Sequence, residues 1–178
     1  MTRPREGGIS FVCQSGAVGA SILDIMSEQG YGISKFVSYG NATTLDESDI
    51  LTYLAHDEKT KVIALYLEGV KEGRKFLGAL KVVCKKKPVI VLKAGITEQG
   101  SKAVMSHTGS LAGSAEVYRG VFRQANAIIA EGIEEMFDYA RILEKLNGIK
   151  GKKVQVITNG GGYGILSVDA LVKDGLEL

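Results

Sequence analysis

Cysteine and histidine are scarce in this chain, with two of each in 178 residues. Cys13 and Cys84 are too few for a disulfide framework, and neither has a C-x-x-C partner. They read as buried thiols of a reducing compartment. Two histidines and two scattered cysteines give no spacing for a structural zinc site, so no metal site is expected. Long apolar runs are missing too: none approaches the roughly 18 residues that span a bilayer. The opening MTRPREGG is polar and lacks the apolar stretch of a signal peptide, which makes the cytoplasm the expected compartment. Charge of one sign does not dominate either. With 22 basic and 20 acidic residues the net charge is +2, and no basic run is interleaved with aromatics, which argues against nucleic-acid binding. The run Lys85-Lys86-Lys87 reads as the end of an amphipathic helix, where cations suit the negative pole of the dipole.

What the chain does have is an alternation. It is 45% hydrophobic and 24% charged, ordinary for a globular protein. Short β-rich runs at residues 9–14, 33–39, 62–68, 88–93 and 127–130 alternate with helix-period segments. The helices are marked by Val18, Ile22, Ile25 and Met26, by Ile50, Leu51 and Leu54 after a start at Asp46 or Ser48, and by Phe76, Leu80, Val83 and Cys84. Two more carry Val117, Tyr118, Val121 and Phe122, then Ile133, Met136, Phe137, Ala140, Leu143 and Leu146. Five strands, each followed by a helix, predict an α/β fold: a flavodoxin-like doubly wound parallel sheet, order 2-1-3-4-5. The expected division is a domain at 1–146, a linker at 147–152, and at 153–178 the first βα unit of a second, truncated domain. From Ala94 to Ser114 no regular element is expected, and connections that long are usually functional or disordered.

In open parallel sheets ligands bind beyond the carboxyl ends of the strands. The first strand leads through Gln14 into Ser15, Gly16 and Ala17 at a helix start, a geometry suited to phosphate. Ser15 also suits a plain N-cap. The second strand leads to Gly40 and Asn41, the third to Glu68, and the fourth to Lys93. Asn41 reads equally as a turn residue, and Glu68 and Lys93 as solvated rim charges. His56, in YLAHDEKT, suits a helix C-terminus. The run Gly160-Gly161-Gly162-Tyr163-Gly164 misses the G-x-G-x-x-G spacing and reads as a tight strand-to-helix turn. His107, in SHTGSLAGS, has small and hydroxylic neighbours where a core histidine needs apolar ones, so it reads as a functional residue or a plain surface histidine. Glycines let a segment approach a phosphate and hydroxyls bond its oxygens, so Thr108 and Gly109 join the candidates.

The motifs SFVCQSGAVGASIL, YLEGVKEGRKF and SHTGSLAGS, in this order, resemble the NDP-forming acyl-CoA synthetase superfamily. Within it the chain is most similar to the α part of archaeal ADP-forming acetyl-CoA synthetases, and more distantly to succinyl-CoA synthetase α subunits. The resemblance implies an acid–thiol ligase whose histidine, here His107, carries a phosphoryl group from acyl phosphate to ADP. It implies that Glu68 steadies that histidine and that Ser15, Gly16 and Ala17 bind phosphate, with Thr108 and Gly109 beside them. Asn41 and Lys93 are candidate substrate-binding groups. Neutral imidazole needs one unprotonated nitrogen to attack phosphorus, and a carboxylate accepting the other N–H fixes that tautomer. Further implications are CoA, ADP or ATP, phosphate and Mg²⁺ as substrates or cofactors of a full assembly, none held tightly by this chain. The partners would be CoA-binding and ATP-grasp domains or a β subunit, with a homo-oligomer open, so the chain alone is expected to be inactive. Two alternatives stand beside this: a non-catalytic flavodoxin-like binding or regulatory module, and a ligand-sensing part of an acyl-CoA-linked acetyltransferase.

Overall fold

A computed structural model of the chain describes residues 4–108, 113–146 and 150–178, of 105–108 the backbone only. The chain divides into two compact units, Met1–Lys145 and Leu146–Leu178. The first contains β1 (Arg5–Cys13), α1 (Gly16–Glu28), β2 (Gly32–Ser38), α2 (Glu47–Leu54), β3 (Val62–Leu67) and α3 (Gly73–Cys84). It continues with β4 (Val89–Lys93), α4 (Glu98–Thr108), α5 (Ala115–Ala125), β5 (Ile128–Ala130) and α6 (Ile133–Lys145). The five strands form one parallel sheet in the order β2-β1-β3-β4-β5, the expected topology.

Side-chain alternation explains the layering. Along β3, Ile63, Leu65 and Leu67 join one core cluster while Val62 and Ala64 join the other. β4 repeats this, with Val89 and Val91 on one face and Ile90 and Leu92 on the opposite one. The first face is covered by Ile50, Leu51 and Leu54 of α2, Phe76, Leu80 and Val83 of α3, and Tyr118 and Phe122 of α5. Ile22 and Met26 of α1, with Met136, Phe137 and Ala140 of α6, cover the second. Two apolar layers on one parallel sheet make the runs Val62–Leu67 and Val89–Leu92 continuously hydrophobic.

Of the two starts expected for α2, Asp46 is the cap. Asp46 accepts the Ser48 and Asp49 N–H groups, and the Asp49 carboxylate takes the Asp46 N–H in return, a capping box that starts α2. α5 ends at Asn126, whose φ of 58° is left-handed.

Three expectations change. The interval 94–114 is not without structure, because α4 occupies Glu98–Thr108. Thr97 Oγ1 accepts the Gly100 N–H at 3.0 Å in the manner of an N-cap, and Lys102 pairs with Glu98 at 2.8 Å. Local polar contacts, which leave no apolar period, mark this helix. Val117 and Leu146 are exposed rather than on the buried stripe, at 63% and 47%, since the stripe of α5 runs through Tyr118, Phe122 and Ala125. In the second unit the strand expected near Val154 is represented by one parallel bridge, Lys153 to Glu177. A strand requires a paired neighbour along its length. Its helix α7 (Gly161–Lys173) has no buried residue, and Tyr163, Ile165 and Leu166 are exposed.

Candidate functional site

Because the strands are parallel, their carboxyl ends share one edge, and in-register pairing aligns them: Cys13 lies opposite Tyr66, and Leu67 opposite Lys93. Ser15, Asn41, Glu68 and Lys93 all follow or end these strands and therefore belong to that edge.

Ser15 is the N-cap of α1, its hydroxyl accepting the Val18 N–H at 3.4 Å. Gly16 and Ala17 are exposed in the first turn, which contains no acidic residue. Unpaired backbone N–H groups and a positive dipole end, with no carboxylate to neutralise them, favour an anion there. Beneath this turn the Cys13 thiol donates to the Ser15 carbonyl at 3.0 Å, and burial pushes its pKa up.

Glu68 is not a solvated rim charge: it is 8% exposed. The side-chain oxygen of Gln14 accepts the Glu68 and Gly69 N–H groups at 2.7 and 3.0 Å. One residue after β1 thus fixes the turn after β3. Lys93 is buried as well, at 6% exposure. Its ammonium donates to the Glu68 carbonyl at 2.9 Å and to the Ala94 carbonyl, and sits 4.6 Å from the Tyr118 ring centroid. Burial lowers the Lys93 pKa, and the nearby Glu68 charge opposes that shift. The Tyr118 hydroxyl accepts the Val70 N–H at 3.1 Å. Val70 is therefore held from the α5 side as Glu68 is held from the β1 side.

Asn41 stands apart from this cluster. It is exposed in the loop after β2, and its carbonyl accepts the Lys71 ammonium at 2.7 Å. Below that loop lie polar groups not anticipated from sequence. Glu47 is a carboxylate only 2% exposed, and burial, the largest influence, raises its pKa. Tyr39 has a buried hydroxyl, its pKa raised by burial and then by Glu47.

His107 and Thr108 form the end of α4 along the backbone, so the histidine is carried on a helix and not on a free loop. Gly109 lies outside the described residues. His56 sits beyond α2 as expected, its Nδ1 3.0 Å from the Thr52 carbonyl. Among the described residues no group of three or more His, Cys, Asp or Glu could hold a metal ion, and no helix is long and apolar enough to cross a membrane.

Sequence reasoning missed the roles of Gln14 and Tyr118. Gln14 carried a signal, a polar amide directly after an apolar strand. Tyr118 carried none, because its position in a helical stripe reads as core.

Comparison with known proteins places this geometry in context. Residues 6–143 match the model of the succinyl-CoA ligase like flavodoxin domain. The chain is 48% identical, over 98% of its length, to an acetate–CoA ligase [ADP-forming] I of Archaeoglobus fulgidus, and covers 25% of that protein. It is 46% identical, over 100% of its length, to the acetate–CoA ligase [ADP-forming] II subunit alpha of Pyrococcus furiosus, covering 39% of it. Among solved structures it matches the dinucleotide forming acetyl-coenzyme A synthetase 1 of Ca. Korarchaeum cryptofilum in complex with phosphate and ADP. The TM-score there is 0.90 at 39% identity, over 98% of this chain and 38% of that one. The chain thus spans between a quarter and two fifths of the length of these proteins.

Proposed function

This chain belongs to the succinyl-CoA ligase-like flavodoxin domain family, and from that premise we propose that it is the phosphohistidine-bearing part of an ADP-forming acyl-CoA synthetase acting on acetate. CoA-binding and ATP-grasp domains, fused or on a partner subunit, would supply the remaining sites for CoA, nucleotide and Mg²⁺. Residues 1–146 would form the histidine-bearing domain, 147–152 a linker and 153–178 the start of the next.

The observation that carries the reading is the burial of Glu68 on a backbone clamped from two sides. Glu68 is buried at the sheet edge, its backbone clamped by Gln14 and Lys93, and β4, which leads into α4 and His107, pairs directly with β3, which ends one residue before Glu68. A carboxylate on that turn would accept one ring N–H of His107 and so keep the imidazole in one tautomer. In the proposed reaction the unprotonated ring nitrogen of His107 attacks the phosphorus of acetyl phosphate. The bond from phosphorus to the acyl oxygen breaks, and acetate leaves with that electron pair. Glu68 accepts the hydrogen bond of the other ring N–H and offsets positive charge on the phosphorylated ring. A terminal phosphate oxygen of ADP then attacks the same phosphorus, the N–P bond breaks, and ATP forms. Phosphoryl transfer needs in-line placement and charge stabilisation, and the α1 N-terminus at Ser15, Gly16 and Ala17 suits the second need.

The test is ATP formation from acetyl-CoA, ADP and phosphate by this chain joined to the partner domains. Substituting His107→Ala should abolish ATP formation while acetyl phosphate is still made from acetyl-CoA. Undiminished ATP formation by that variant overturns the reading.

A further inference from the structure

The two ends of the segment that carries His107 meet at a buried cation. Lys93 closes β4 and Tyr118 lies near the start of α5, and the Lys93 ammonium stands 4.6 Å from the Tyr118 ring centroid. Both also hold the turn after β3, Lys93 through the Glu68 carbonyl at 2.9 Å and Tyr118 through the Val70 N–H at 3.1 Å. Residues 94–114 therefore leave and rejoin the domain at one point, and that point is fastened to the Glu68 turn.

Apolar packing would do for stability alone. An ammonium at 6% exposure has lost its hydration, and replacing buried ions by apolar groups is often neutral or stabilising. Lys93 instead uses its charge on two carbonyl oxygens and a ring face. None of these partners is a substrate, and with its donors so occupied the side chain is poorly placed to bind one. We propose that Lys93 is a positioning residue for the histidine site: its charge locks the Glu68 turn to the base of the 94–114 segment, so that the carboxylate stands ready wherever the histidine takes up the phosphoryl group. This rests on the phosphohistidine reading above, and it replaces the expectation that Lys93 binds substrate.

The experiment compares wild type, Lys93→Met, Glu68→Gln and the double variant, with partner domains supplied and ³²P-labelled acetyl phosphate as phosphoryl donor. Lys93→Met should melt near the wild-type temperature yet label about tenfold more slowly, with the KM for acetyl phosphate unchanged. Acting through Glu68, it should add little to the loss already caused by Glu68→Gln. A raised KM with unchanged maximal rate, or losses that multiply in the double variant, would overturn the assignment. Should Lys93→Met fold poorly, Lys93→Gln, which keeps donors without charge, carries the same comparison. If wild type takes no label, the phosphohistidine reading fails. Lys93 is then judged by amide exchange in this chain, where Lys93→Met should speed exchange at Gly69 and Val70 about tenfold. Unchanged exchange in that case overturns the positioning role.

Discussion

Gln14 and Glu68, one on each of two adjacent strand ends, are joined by a 2.7 Å hydrogen bond from the Glu68 N–H to the Gln14 side-chain oxygen. The same oxygen also takes the Gly69 N–H. Replacing Gln14 by Leu removes the shared acceptor and leaves two backbone donors unpaired. An unsatisfied buried donor costs about 1–3 kcal/mol. Gln14→Leu should therefore lower the urea midpoint by an amount in that range, and Gln14→Glu, which keeps an acceptor, should recover most of it. Equal midpoints for Gln14→Leu and wild type would show that the clamp contributes nothing.

Glu68→Gln separates chemistry from folding. The change is nearly isosteric, so it should cost only about 1 kcal/mol even at a buried position. The proposed hydrogen bond from the His107 ring, made to a charged group, would be worth about 1.5–3 kcal/mol. Labelling at His107 should fall on the order of 10- to 100-fold. A variant that labels at the wild-type rate removes Glu68 from the mechanism.

How far the sequence carried depended on the kind of interaction. Strand order was legible because β3 is apolar throughout and β4 up to Lys93, and the intervening helices have clear stripes. Glu68 and Lys93 were legible as residues at strand ends, but not as buried ones. They are held by Gln14 and Tyr118, which lie 54 and 25 residues away from the residues they serve. No local period encodes such contacts. α4 was missed because Thr97, Glu98 and Lys102 stabilise it through polar contacts in a segment full of glycine and serine. The histidine's placement on that helix was missed with it.

Acid should act first at the opposite edge of the sheet. The Lys35 ammonium, 2.6 Å from Asp57, and the Thr60 hydroxyl hold the Asp57 carboxyl down at about 2. In the unfolded chain it titrates near about 3.9. As pH falls the unfolded chain binds this proton first, so the contribution is complete above about pH 4 and is lost between about 4 and 2. Allowing for solvent screening, it is worth roughly 1–2 kcal/mol. Asp57→Asn should flatten the stability curve over that window. An unchanged acid limb would contradict the pairing.

Gly95 governs how α4 leaves β4. Its φ is +70°, and a Cβ there would come within 2.6 Å of the Val104 side chain and 3.1 Å of the Gly100 carbonyl. The left-handed backbone alone costs a non-glycine residue about 1–2 kcal/mol. Gly95→Ala should lower stability by at least that much, read by thermal melting. A melt identical to wild type would mean that this turn does not need glycine.

The central claim is that His107 carries the phosphoryl group. The most direct measurement incubates this chain with its partner domains and [γ-³²P]ATP, then tests the bound label for acid lability. Wild type should take up label that acid removes and alkali leaves in place, and His107→Ala should take up none. Equal acid-labile labelling of both proteins would contradict the account.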